Sequence, residues 1–493
     1  MLRKIRIAAA LFCFVGITLL FLDFTGTIHA WLGWLAKVQF LPALLAVETG
    51  IVVVLVLLTL LFGRLYCSVL CPLGVLQDIF AWCGKRQKKN RYTCSAARSW
   101  LRYGMLALFF VLLVAHAGTV AALLAPYSAY GRIAQNLLAP FWGWGNNALA
   151  YLAARADSYA FYSTDVWIRS WATFSVAVVT LVLVGTLAWR NGRTWCNTVC
   201  PVGTILGFLS RYSLFRPVID TSRCNGCKLC ARNCKAACID AVNHRIDYSR
   251  CVACMDCLDK CHQGAITYTL RRKTGTVESA SAPAIDPSRR RFLGVVGIMG
   301  FSAARAQQKK VDGGLAVIED KKIPVRATPI VPPGAQSLRH FSIHCTACQL
   351  CVAACPNGVL RPSTDLSRLM QPEMSYERGY CRPECTRCSE VCPAGAIRLT
   401  DLAGKSSTQI GHAVWVRENC VPLTDGVACG NCARHCPVGA IALILSDPDN
   451  PEAPKIPAVN AERCIGCGAC ENLCPARPFS AIYVEGHEVH RTL

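Results

Sequence analysis

Charge is what this sequence has least of. Only 17% of its 493 residues are Asp, Glu, Lys or Arg, against 53% hydrophobic, a balance expected where part of a chain meets lipid. Acidic residues are the scarcer sign, 30 against 52 basic, for a net charge of +22. The basic excess is not gathered on one soluble surface, as nucleic-acid binding requires. Residues 1–102 carry 12 Lys/Arg to 3 Asp/Glu and residues 190–291 carry 17 to 7, but residues 307–493 carry 19 to 18. The basic blocks flank apolar runs, as the positive-inside rule expects, so no nucleic-acid partner is expected. No G-x-G-x-x-G fingerprint is present, which argues against a bound dinucleotide. The apolar runs offer His116 alone, with His29 near the outer end of the first, so a bis-histidine haem has no pair of ligands.

Apolar segments near 7–25, 43–62, 104–125 and 171–189 each approach the ~20 residues that cross a bilayer as a helix. The basic start "MLRKIR" and the loop containing "CGKRQKKNRYTC" belong on the cytoplasmic side, and the loops 26–42 and 126–170 on the other. Further on, "SRRRFLGVVGIMGFSAARAQQ" begins at Ser288 with paired arginines, an apolar run and a small-x-small pattern at Ala304-Arg305-Ala306. It reads as a twin-arginine export signal placed mid-chain, the alternative being a fifth, short helix. The fold expected is an α-helical membrane domain of four spans joined to α+β ferredoxin domains of the bacterial 2[4Fe–4S] type. Its divisions are residues 1–215 (membrane), 216–270 (cytoplasmic, two clusters), 271–338 (a linker, extended rather than packed, with the signal at 288–306) and 339–493 (periplasmic, four clusters).

The 32 cysteines carry that expectation. Two groups of four precede the linker: Cys224, Cys227, Cys230, Cys234 and Cys251, Cys254, Cys257, Cys261. Four follow it: Cys345, Cys348, Cys351, Cys355; Cys381, Cys385, Cys388, Cys392; Cys420, Cys429, Cys432, Cys436; and Cys464, Cys467, Cys470, Cys474. In C-x2-C-x2-C-x3-C-P, three thiolates on one loop grip three irons of a cubane and the fourth reaches the neighbouring cluster. Zinc more often takes two separated CxxC pairs. Six groups therefore predict six [4Fe–4S] clusters. In the first pair the crossed pattern predicts Cys224, Cys227, Cys230 with Cys261, and Cys251, Cys254, Cys257 with Cys234. In the last four, adjacent and nested pairing both remain open. Lys235 and His262 stand where the motif usually has proline, and Cys238 is a spare, expected beside a cluster.

Two shorter motifs, "YCSVLCPLG" (Cys67, Cys71) and "WCNTVCPVG" (Cys196, Cys200), each follow an apolar run and look like an internal repeat. Together they supply four thiolates, enough for one further cluster or metal. Ionisable residues at or within spans, Asp23, Glu48 and His116, raise the expectation of proton or quinone chemistry. The polar, aromatic "APYSAYGRI" adds Tyr127 and Arg132 as contacts for a quinone head. A hydrogen-bonded structural role competes with each of these readings.

In this order of features the chain resembles the NapH-type membrane quinol dehydrogenase subunit fused to a NapG-type, MauM-like periplasmic ferredoxin. The apolar runs, "CSVLCP", "CNTVCP", "PYSAYGRI" and the two-cluster tail match the first, while "RRRFLG" and four cluster motifs match the second. The resemblance implies an electron-transfer subunit of a quinol dehydrogenase in the bacterial inner membrane. It would draw on the quinone pool and serve a periplasmic reductase or cytochrome, typically a nitrate reductase system. The competing functions are a maturation factor supplying electrons to a periplasmic metalloenzyme, and a relay from a cytoplasmic donor.

Overall fold

The computed structural model describes residues 1–23, 25–87, 92–115, 117–271 and 319–493. The expected signal at 288–306, with its fifth-helix alternative, and His116 lie outside the described residues.

Among the described residues two helices, Leu2–Leu22 and Trp171–Asn191, are long and apolar enough to cross a membrane, rather than the four expected. Each has 21 residues, about 31 Å at 1.5 Å per residue. The run 43–62 is broken by a residue in the left-handed region, Val47 at φ +57°. It becomes Phe40–Leu45 and a 14-residue helix, Thr49–Phe62. The run 104–125 divides into Ser99–Val114 and Gly118–Leu124. Hydropathy sums side chains and is blind to such backbone breaks. The N-terminal helix buries one stripe, Ala10, Cys13, Ile17 and Leu20, and leaves the equally apolar Leu11, Phe12 and Val15 exposed. Such a surface is costly in water and suited to lipid.

The stretch 27–45 is not a simple outer loop. It forms three short helices that fold back into the bundle. Leu35 packs so closely on Gly16 that a Cβ there would lie 2.7 Å from its Cδ1. Buried Gln39 donates to the Leu35 and Leu70 carbonyls and accepts from the Tyr66 hydroxyl.

Residues 215–271 form a small α+β unit. Phe215–Ile219 pairs antiparallel with Ile266–Leu270, and Ile239–Asp240 with Arg245–Ile246. Residues 319–493 repeat the theme with three antiparallel pairs: Leu360–Pro362 with Pro372–Met374, Ile441–Leu445 with Lys455–Val459, and Thr408–Trp415 with the 11-residue Ile482–Thr492. The two units hold opposite ends of the N-terminal helix. Arg3 pairs with Asp256 at 2.9 Å at its start, whereas Phe21, at its end, lies against Gly131, itself packed on the Cys348 carbonyl. The expected loose linker stops short of residue 338. From 319 onward the chain packs on the second unit, with Ile330, Val331 and Ala335 buried and Arg326 bonded to Glu471 and the Val484 carbonyl.

Candidate metal centre

Four of the six cysteine loops share one backbone shape, and the sequence has to tolerate it. The residues on both sides of the second cysteine take positive φ: Gly226 and Lys228, Ala253 and Met255, Ala347 and Gln349, Gly466 and Gly468. For the non-glycine residues this costs about 1–2 kcal/mol each, so something must favour it. Alternating left- and right-handed residues turn consecutive N–H groups inward and make a concavity for negative charge. The amides of Ala253, Ala347, Leu350, Gly466 and Ala469 accordingly donate to Cys251, Cys345, Cys348, Cys464 and Cys467. A short helix then begins beside the third cysteine and stops before the fourth, as in Leu350–Ala354 and Ala469–Leu473.

The cysteines gather as six sets of four. Cys224, Cys227, Cys230 and Cys261 line one cavity of about 230 Å³. Cys234 lies in electrostatic reach of Cys254 and Cys257, which with Cys251 complete its set. In the second unit the adjacent pairing, not the nested one, is brought together. Cys392 joins Cys345, Cys348 and Cys351, and Cys355 joins Cys381, Cys385 and Cys388. Cys474 joins Cys420, Cys429 and Cys432, and Cys436 joins Cys464, Cys467 and Cys470. Electrostatic reach between sets gives them an order: Cys351 lies in reach of Cys388, Cys467 of Cys381, and Cys470 of Cys432. The spare Cys238 lies 3.5 Å from Cys234, sulfur to sulfur, and also contacts Cys251. A cubane held by four thiolates fits these sets: the concavities match its negative charge, and each set draws its fourth sulfur from the neighbouring loop.

The membrane-proximal cysteines also converge. Cys67, Cys71, Cys196 and Cys200 are all buried and within electrostatic reach of one another. Around them two helical hairpins, Thr49–Phe62 with Pro72–Gln87 and Trp171–Asn191 with Pro201–Leu209, interlock reciprocally. Arg64 donates to the Cys196 carbonyl at 3.1 Å and Arg193 to the Cys67 carbonyl at 2.7 Å. Gly74 and Gly203 admit these guanidinium groups: a Cβ would lie 2.7 Å from Arg193 Nη1 in one case and 2.8 Å from Arg64 Nη2 in the other. Gln77 Nε2 and the Gly203 amide reach the sulfurs of Cys196 and Cys200 at 3.2 and 3.3 Å. Arg64 and Arg193 are both 0% exposed, and buried cations demand negative partners. Asp78, 2.7 Å from Arg193, supplies one, and four thiolates would supply the rest. Sequence reasoning missed both arginines. The signal was there, since the repeat extends backward as Gly63-Arg64 and Gly192-Arg193 and forward to Gly74 and Gly203.

The other candidates separate. Asp23 is structural, accepting from the amides of Gly26, Ile28 and His29. Glu48 is exposed at the start of Thr49–Phe62. Tyr127 and Arg132 lie on the wholly buried Pro126–Ile133 helix. Tyr127 is in reach of Cys348 and Cys392, and Arg132 donates to the Ala122 carbonyl at 3.2 Å.

The family described as "4Fe-4S binding domain" matches residues 49–90 and 171–220, the two hairpins. "4Fe-4S dicluster domain" matches residues 344–396 and 426–477. Ferredoxin-type protein NapG of Haemophilus influenzae is 30% identical over 212 residues, 39% of this chain and 70% of that protein. Methylamine utilization ferredoxin-type protein MauM of Methylophilus methylotrophus is 32% identical over 205 residues, 40% of this chain and 86% of its own length. MauM of Paracoccus denitrificans is 34% identical over 180 residues, with 35% and 79% covered. No solved structure matches the chain. Sulfur sets, loop shape and these likenesses agree: the chain is an iron–sulfur electron-transfer protein and belongs to the family of NapG and MauM ferredoxin-type proteins.

Proposed function

We propose that this protein oxidises quinol in the bacterial inner membrane and passes the electrons through [4Fe–4S] clusters to a periplasmic reductase such as nitrate reductase. Its first half would be a NapH-type membrane subunit fused to the NapG-type ferredoxin. The observation that carries the reading is the placement of two ferredoxin units at opposite ends of one apolar helix of about 31 Å, the thickness of a bilayer's hydrocarbon core. In this reading Leu2–Leu22 and Trp171–Asn191 cross the membrane, with Thr49–Phe62 and Ser99–Val114 completing the bundle. The first unit faces the cytoplasm and the second the periplasm.

The six sulfur sets each hold one cluster, and Cys67, Cys71, Cys196 and Cys200 hold a seventh between the two groups. Arg64 supports that link, because it touches the hairpin cysteines and also lies in electrostatic reach of Cys251. On the outer side the order in which the sets lie in electrostatic reach of one another supports entry at the set of Cys345, beside Tyr127, and exit at the set of Cys420, farthest along the series. Reduced holoprotein, purified without oxygen, is reoxidised by a soluble menaquinone analogue in the test of this function. Its EPR signals should fall in all cluster groups; clusters that stay reduced reject quinol chemistry.

A further inference from the structure

The membrane portion contains a cavity that the sequence reading did not anticipate. It lies between the N-terminal helix, the Pro72–Gln87 helix and the first ferredoxin unit, and its volume is about 480 Å³. A second cavity beside Gln349 and Arg169, near Tyr127's end of the bundle, measures about 130 Å³. Pockets for organic ligands of this kind span about 300–1,000 Å³, so only the first has room for a substituted quinone ring and the start of its tail.

Its two ends differ. Ile7, Ala10 and Leu11 on one helix face Val75, Ile79 and Trp82 on the other. These spacings put each trio on one helical face, and Leu11, Ile79 and Trp82 are exposed at the apolar surface of the bundle. The opposite end is lined by Lys85, Asn233, Asp256 and Lys260. Asn233 and Lys235 flank Cys234, and Asp256 stands between Cys254 and Cys257. Lys235, in the place where the motif usually has proline, ties this end together by reaching Asp78 at 3.2 Å and Asp256 at 3.0 Å.

We infer that this cavity is the quinol site, with the hydroquinone ring at the polar end beside Asn233 and Asp256 and the isoprenoid tail leaving between Leu11 and Ile79 into lipid. The inference rests on the proposed function and adds its location, on the opposite side of the bundle from Tyr127 and Arg132. Oxidation breaks the two O–H bonds of the hydroquinone and leaves a quinone. The two electrons go singly to oxidised clusters, the first acceptor being the one on Cys251, Cys254, Cys257 and Cys234. The two protons go to water at the open polar rim. An anionic phospholipid would also meet lysines here, but a lipid headgroup has no use for a position one residue from a cluster-binding loop.

A photoreactive azidonaphthoquinone, added to detergent-solubilised holoprotein and mapped by mass spectrometry, tests the location without relying on turnover. Label in residues 3–11 and 75–85, displaced by 2,3-dimethyl-1,4-naphthoquinol, is the expected result. Leu11→Trp, at an exposed position in the mouth, should weaken that displacement about tenfold, or ~1.4 kcal/mol, with iron content unchanged. Label in residues 126–143 or 164–169, while a quinone still reoxidises the clusters, overturns the location and leaves the proposed function standing. Label displaced by phosphatidylglycerol and not by naphthoquinol overturns it in favour of a lipid site. Absence of both label and reoxidation removes the inference together with the function it rests on.

Discussion

The two ferredoxin units are attached to residues 1–215 by different physics. The first is held by charge: Arg3 reaches Asp256 and Asp259 at 2.9 and 3.1 Å, Lys235 reaches Asp78, and Arg64 and Arg102 both donate to the Ser249 carbonyl. The second is held by shape and neutral hydrogen bonds. Gly131 leaves room for the Cys348 carbonyl and Gly118 for the Ser342 carbonyl, and Asn136 donates to Gln349 at 2.9 Å. Where cations do occur at that junction they meet carbonyls or a ring, as Arg387 does at Thr25 and as Arg361 and Arg378 do over the Trp167 ring. Among the described residues no carboxylate–cation pair joins the second unit to residues 1–215. The difference teaches that the first unit should be sensitive to single charges, and the second to single atoms of added volume.

The largest effect is expected where charge is buried deepest. Arg64→Met removes a cation that bonds Asn197, the Cys196 carbonyl and the Ser249 carbonyl at once. Leaving those buried acceptors without their donor costs ~1–3 kcal/mol for each. On the proposed assignment, iron analysis should show the loss of one cluster, the one proposed for Cys67, Cys71, Cys196 and Cys200, while the EPR signals of the clusters proposed for the ferredoxin units persist. Gly131→Leu attacks the other junction. Its Cβ alone would lie 2.3 Å from the Cys348 oxygen and 2.8 Å from Phe21, and overpacking of this kind costs ~1–3 kcal/mol. Hydrogen exchange should speed up in residues 126–136 and 345–355 and stay unchanged in residues 224–261.

What the sequence could and could not say divides along the same line. The cysteine loops were legible because their ligand spacing is local, each loop carrying its own turn. The pairing of the last four loops was not legible, since whether Cys392 or another cysteine completes the set of Cys345 depends on how separate loops pack together, which no single motif encodes. Arg64 and Arg193 were legible in principle, three residues before Cys67 and Cys196, but only to a reading that extended the repeat past its cysteines. Spans were overcounted because composition is indifferent to the break at Val47. Lys235 looked like a weakened turn and is instead an ionic tie, a meaning that exists only once Asp78, more than 150 positions earlier, lies beside it.

Lys235→Pro restores the commoner residue and so separates turn from tie. The backbone carbonyl that accepts from Arg193 at 2.8 Å survives, while both ion pairs go. Their loss should cost about 2 kcal/mol, within the range for hydrogen bonds to charged groups. Amide exchange should accelerate in residues 224–261 and remain unchanged in residues 345–474. The reverse pattern would mean that the first unit is not held by charge.

The smallest expected effect is one of pH, and it falls on the second unit alone. His490 sits on the long Ile482–Thr492 strand with neither ring nitrogen bonded. Burial, assisted by His487 nearby, pushes its imidazole down to about 4, against about 6.5 in an unfolded chain. Above pH 6.5 it is neutral in both states and contributes no pH dependence. Between 6.5 and 4 the unfolded chain binds a proton that the folded one refuses, so stability falls as pH falls through that window and levels off below it. Because the ring is only partly enclosed, the loss should be about 1 kcal/mol rather than the full shift at 1.36 kcal/mol per unit. Thermal unfolding followed by hydrogen exchange at pH 7 and pH 5 should show residues 408–415 and 482–492 loosening on acidification, and His490→Leu should flatten the response. In the first unit's ties burial opposes ionisation, but the neighbouring cations outweigh it and hold Asp78 and Asp256 below the usual carboxylate range, so equal loosening of residues 215–271 would contradict the contrast between the two attachments.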